Sequence, residues 1–215
     1  MPITTISALH AHCREALAGP LPGHAAHVEL YPLAVQRDAP APTPQPDARL
    51  AAALALLVGD TPELLLTVRS MQLSHHGGQI SFPGGRRDAE ETAEQTALRE
   101  TEEELGIARQ EIAVLGRLSE LYIPPSNHLV QPILGWVPQL PALRLQASEV
   151  QEAFTVPLAR LADPASRKVG TWETRGQRRE VPYWDVHPTP FWGATAMMTE
   201  ELLQVMRPFM AQRDH

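Results

Sequence analysis

Glu100, Glu103 and Glu104 are separated by three and four residues, the spacing at which helical side chains emerge as neighbours on one flank. Like charges so placed repel, and in the C-terminal half of a helix the backbone dipole disfavours anions further. The surrounding stretch from Gly85 to Ile107, GRRDAEETAEQTALRETEEELGI, contains no lysine, and Arg99 alone cannot neutralise the cluster. Hard divalent cations that take oxygen ligands, Mg²⁺ or Mn²⁺, are the natural counterions. A bare acidic run is more commonly a solvated face, so the case depends on what accompanies it.

A helix is needed to hold these carboxylates, and its ends are legible. Thr92 followed by Gln95 fits a capping box that starts a helix at about Ala93, and Gly106 suits the left-handed residue just past its end. Ala93, Ala97, Leu98, Thr101 and Leu105 recur at helical spacing and should face a core. Upstream, Leu50 to Val58 and Leu64 to Val68 read as strands joined by a turn at Thr61-Pro62. A His- and Gly-containing loop follows, then a short strand from Gln79 to Phe82 and a Pro-Gly-Gly turn. Gly84 and Gly85 permit close backbone approach, and a carbonyl there is a further oxygen donor for a metal. His75 and His76 are adjacent and in a strand would point apart, so they read as loop residues, His76 being the better functional candidate.

Gly85, Glu91, Arg99, Glu100, Glu103, Glu104, Gly106 and Ile107 stand in an arrangement that resembles the Nudix box of the Nudix hydrolase superfamily. Thr101 occupies a position where an aliphatic residue is usual, and it is small enough for the buried stripe. The preceding segment is similar to that of the coenzyme A diphosphatase branch, through Leu65, Leu66, Thr67, Arg69, Ser70, His76, Gly78, Gln79, Phe82, Pro83, Gly84 and Gly85. Ser74 departs, because that branch often carries an arginine there. The resemblance implies an α/β Nudix fold, an α/β/α sandwich with a mixed sheet and the box as a loop-helix-loop. It implies hydrolysis of a diphosphate, in coenzyme A or an acyl derivative, to 3′,5′-ADP and a 4′-phosphopantetheine species. A broader hydrolase of ADP-ribose or nucleotide sugars is the alternative, and a non-catalytic module of the same fold is a third reading. Glu100, Glu103 and Glu104 are expected to hold the ions, Glu103 to take a proton, and Arg99 to pair with Glu91 and orient the helix. Arg69, His76, Gln79, Gly84 and Gly85 are expected to face substrate, with Gly106 structural.

The rest of the 215-residue chain bounds this reading. A net charge of -7 argues against a surface that coats nucleic acid, and no apolar run is long enough to span a membrane. Cys13 is the only cysteine, so an intramolecular disulfide is excluded. With no secretory signal, and no peroxisomal address at Arg213-Asp214-His215, the expected compartment is the cytoplasm. The partner is a small diphosphate substrate; a homodimer is left open. Residues 1–35 read as a helical arm, 36–48 as a proline-rich linker and 49–215 as the Nudix domain. His10, His12, His24 and His27 read as solvent-facing rather than as a metal site.

Toward the C-terminus, Ile112 to Leu121 reads as a strand bent at Gly116, and Val130 to Val137 as an irregular or edge strand because of Pro132. Between them Ser126, Asn127 and His128 sit on a proline-stiffened loop, and Glu120 is a weaker ligand candidate. Glu149 to Phe154 reads as a short helix. A strand pair follows around Arg175-Gly176-Gln177, where Arg175, Arg178 and Arg179 fit a solvated tip. The chain then forms a last helix from about Ala194 to Met210.

Overall fold

The computed structural model describes residues 3–36, 39–73, 76–174 and 176–212. Ser74, His75, Arg175 and the terminal Arg213-Asp214-His215 lie outside them. In chain order the helices are α1 (Ile3–Ala18), α2 (His24–His27), α3 (Ala93–Leu105), α4 (Leu158–Ala162) and α5 (Ala194–Ala211). The strands are β1 (Arg49–Val58), β2 (Glu63–Arg69), β3 (Ile80–Ser81), β4 (Gly84–Arg86), β5 (Ala113–Arg117), β6 (Leu121–Ile123), β7 (His128–Val137), β8 (Val150–Pro157), β9 (Arg167–Thr174) and β10 (Gln177–Trp184).

β1 explains the architecture. Its residues alternate between two cores: Ala52, Leu54 and Leu56 pack beneath α3 with Ala97, Leu105 and Ile133, whereas Ala53, Ala55 and Leu57 join Leu202, Met206 and Phe209 of α5. A strand buried on both faces must be apolar throughout, which is why Leu50 to Val58 reads as an unbroken run. β1 pairs in parallel with β7 and antiparallel with β2 and β4, so the sheet is mixed, and helices cover both faces. β9 and β10 form a separate hairpin.

Two expectations are corrected. β7 is a central strand, not an edge: it pairs with β1 along all ten residues and with β5 and β6 on its other side. Pro132 is tolerated because its carbonyl, which accepts from Leu118 N–H at 3.1 Å, points into the break between β5 and β6. Its missing N–H would point the same way, so no bond to β1 is lost. Glu149 to Phe154 is not helical; pairing with Arg69 through Leu66 of β2 draws the segment into β8. The N-terminal residues pack against the sheet and α5. Leu9, Cys13 and Leu30 are buried in the α5-side core, Leu17 covers Gly116, and Leu33 N–H donates to Glu180 at 2.9 Å. The Ile112–Leu121 segment is divided into β5 and β6, with a bulge between Val114 and Gly116.

Candidate active site

α3 begins where its cap residues require. Thr92 Oγ1 accepts from Gln95 N–H, and the Gln95 side chain accepts from Thr92 N–H at 2.8 Å. At the far end Gly106 adopts φ 72° and donates its N–H to the carbonyl of Glu102. The next carbonyls are capped from outside the helix, since Arg144 N–H donates to Leu105 O at 2.8 Å and Gln146 N–H to Glu104 O at 2.9 Å. Thr101 is fully buried, and its hydroxyl is satisfied by the Ala97 carbonyl at 2.7 Å, which reconciles a polar side chain with the apolar stripe.

The chain that caps α3 also delivers a carboxylate. Gln146 O accepts from Glu149 N–H, while Glu149 O accepts from Ser70 N–H at 2.8 Å, which pins Glu149 between α3 and the end of β2. Glu100, Glu104 and Glu149 each place a carboxylate oxygen within 4.8 Å of the others. Glu149 was hidden in the sequence by the helical reading of its neighbourhood; its only local mark was a lone carboxylate ahead of an alternating segment. Glu103, the expected third member, is not in this trio. On a helix, positions 100 and 104 lie about 40° apart, whereas 103 falls about 60° to the other side of 100. Its side chain is 55% exposed and bonds Arg99 at 3.0 Å.

Two glycines make room for the cluster. A Cβ on Gly85 would lie 2.4 Å from the Glu100 carboxyl carbon, and one on Gly84 2.4 Å from the Ala52 carbonyl oxygen. The Gly84 backbone and the positive charge of Arg69 both favour the ionised form of Glu104. Burial nonetheless dominates: Glu104 is 3% exposed, and its pKa is pushed up to about 8. Burial likewise raises Glu100, against the opposing pull of Arg99. Arg99 is the organiser of this flank. Its Nε donates to Glu91 at 2.7 Å, Nη1 to Glu100 at 2.9 Å, and Nη2 to both Glu91 and the Arg86 carbonyl. The Arg99 hydrogen bonds hold Glu91 down at about 2.

Of the other expected residues, His76 Nδ1 and Gln79 Oε1 hold each other at 3.0 Å on the rim, and Gln79 O accepts from Arg69 N–H. Glu120 lies elsewhere, in a cleft of about 370 Å³ beside Arg87, Glu91 and Arg117. The four N-terminal histidines do not gather: His12 meets the Val205 carbonyl, His24 that of Ala39 and His27 the Glu201 carboxylate, while His10 packs edge-on against Trp136. His27 is buried, contrary to the solvent-facing expectation, because Glu201 gives its ring a partner.

A family model, the NUDIX domain, matches residues 48–173, more than half of the chain. The chain belongs to the Nudix family. This Nudix hydrolase is 37% identical to a Photorhabdus laumondii protein called the uncharacterized Nudix hydrolase NudL, over 70% of its own length and 81% of the relative's. It is 39% identical to the human mitochondrial coenzyme A diphosphatase NUDT8, over 75% and 72% respectively. Among solved structures, a Nudix hydrolase from M. smegmatis, RenU, superposes with a TM-score of 0.51 at 21% identity, covering 77% of this chain and 87% of that one. That likeness confirms the mixed α/β fold expected from sequence. Pyrophosphate hydrolysis of a small molecule is the activity class of the family.

Proposed function

We propose that this Nudix hydrolase uses Mg²⁺ or Mn²⁺ to cleave the diphosphate of coenzyme A or its acyl derivatives, yielding 3′,5′-ADP and a 4′-phosphopantetheine species. The observation that carries the metal requirement is the convergence of Glu100, Glu104 and Glu149, three oxygen donors within 4.8 Å, one of them almost fully buried. Such a donor set suits a hard divalent cation and is costly without one. When bound, the ion neutralises the diphosphate and lowers the pKa of water. Arg69, whose charge acts on Glu104, would pair with the diphosphate beside the ion. Glu103 lies outside the trio and is open to solvent, so it is the carboxylate left to accept the proton of the attacking water. Arg99, bonded to Glu91, Glu100 and Glu103 together, holds ligand and base in register.

The substrate class is supported by the segment from Leu65 to Gly85 and by the similarity to the human enzyme. We propose the cytoplasm as its compartment, with which a single buried cysteine is compatible. Coenzyme A, ADP-ribose, NADH and nucleoside triphosphates incubated with Mg²⁺ or Mn²⁺, with products weighed by mass spectrometry, test the substrate. Release of 3′,5′-ADP is expected, and preference for ADP-ribose would select the broader hydrolase instead. The roles separate by variant. Glu104→Gln and Glu149→Gln should weaken Mn²⁺ binding in titration calorimetry by roughly tenfold or more. Glu103→Gln should leave that affinity near wild type and lower kcat roughly 100-fold.

A further inference from the structure

The first half of β1 has a partner on each side: Arg49 stands opposite His128 of β7, and Ala51 opposite Arg86 of β4. Paired residues share a face, and Arg49 and Ala51 share one by alternation. Arg49, Arg86 and His128 therefore project together, from the face where Ala51 packs on the α5-side core and opposite the face covered by α3. The charges of Arg49, Arg86 and His76 all reach His128, which, with burial as the larger cause, holds its pKa below the usual range.

The two arginines are not matched by acids. Among the described residues, no carboxylate lies within 4.0 Å of Arg49 or Arg86, whereas Arg99 has three and Arg109 and Arg167 have one each. The neighbouring Asp47 turns an oxygen to the Asn127 amide at 3.2 Å. The backbone beneath the cluster is fixed: Arg49 N–H donates to Asn127 O at 2.8 Å, Tyr122 Oη to Asn127 Oδ1 at 2.9 Å, and Arg99 to Arg86 O at 3.2 Å. In a chain of net charge -7, unpaired cations gathered on a rigid rim repel one another until an anion joins them. Their place relates them to the carboxylates. Arg86 directly follows Gly85, the residue pressed against Glu100, so the two groups lie on opposite faces of one short strand, at adjacent residues.

On the substrate reading given above, we infer that Arg49, Arg86 and His128 form a second anion subsite that holds a phosphomonoester, the 3′-phosphate of coenzyme A, apart from the diphosphate at the carboxylates. The ribose links the two phosphate groups across the β4 strand. The subsite discriminates coenzyme A from diphosphates that lack a third phosphate.

Calorimetric titration of 3′,5′-ADP and of 5′-AMP, in Mg²⁺ at constant ionic strength, isolates the subsite from catalysis. The wild type should bind 3′,5′-ADP roughly tenfold or more tightly over 5′-AMP, and Arg49→Gln and Arg86→Gln should each bring that ratio toward one. The ratio of kcat/KM for coenzyme A over 3′-dephospho-coenzyme A should fall in parallel. Both side chains are exposed, and circular dichroism checks that the variants fold. Equal affinities in the wild type, or an unchanged ratio in both variants, would overturn the subsite. If coenzyme A is not hydrolysed and the affinity ratio still collapses in the variants, the substrate reading falls and the subsite stands.

Discussion

Gly85 shows how little room the carboxylate cluster leaves. With Glu100 already 2.4 Å from where a Cβ would sit, Gly85→Ala must displace that carboxylate. Because misplacement by about 1 Å can cost about 100-fold, kcat is expected to fall by about that factor while the circular dichroism spectrum is kept. Glu104 supplies a pH dependence. In the ion-free protein it retains a proton up to about 8 that the unfolded chain has released near its ordinary value of 4.5. Folding stability without metal therefore falls as pH rises across that window, while ion binding, which must expel the proton, strengthens by up to about tenfold per pH unit and levels off above about 8. Mn²⁺ titrations from pH 6 to 9 check this, and a flat profile would contradict it.

At the level of the element, α3 depends on both of its ends. Thr92→Ala removes the hydroxyl that accepts from Gln95 N–H and should cost about 1 kcal/mol. Gly106→Ala forces a Cβ into φ 72° and to 3.0 Å from Arg144 Cβ, so the loss should be about 2 kcal/mol. Urea denaturation reads both. The second change should also weaken metal binding, because Arg144 begins the segment that carries Glu149; unchanged Mn²⁺ affinity would separate the cap from the site. The Thr92–Gln95 box and the Gly106 stop were readable because each is a contact within a few residues. β8 was not, because its Glu-Val-Gln-Glu-Ala-Phe stretch carries no capping or period signal strong enough to outweigh the strand that β2 offers it.

Across the molecule, Glu201 ties together three segments distant in sequence. It is fully buried and accepts from His27, Ser119 N–H and Gly23 N–H. Burial alone would raise its pKa, but these donors hold it below the ordinary carboxylate value. Its contribution is thus complete above about 4.5 and lost as pH falls below that, toward the folded-state value. Glu201→Gln should destabilise the protein by roughly 3 kcal/mol in chemical denaturation and remove part of the acid-side loss. A variant as stable as wild type would show that α2, the β5–β6 link and α5 are held by apolar packing alone.

By itself the sequence determined the box helix, its start and stop, the spacing of Glu100 and Glu104, the Arg99–Glu91 partnership implied by resemblance, and a doubly buried first strand. Each depends on neighbours along the chain or on a period that residue types display. Only the tertiary structure decided which carboxylates meet. Glu103 and Glu104 are adjacent in sequence, yet helix rotation turns one to Arg99 and solvent and the other to the interior, where Glu149 arrives from 45 residues away. Pro132 became part of a central strand, and Arg49, Arg86 and His128 became neighbours, for the same reason: strand pairing is a contact between distant segments, and no local pattern records its register.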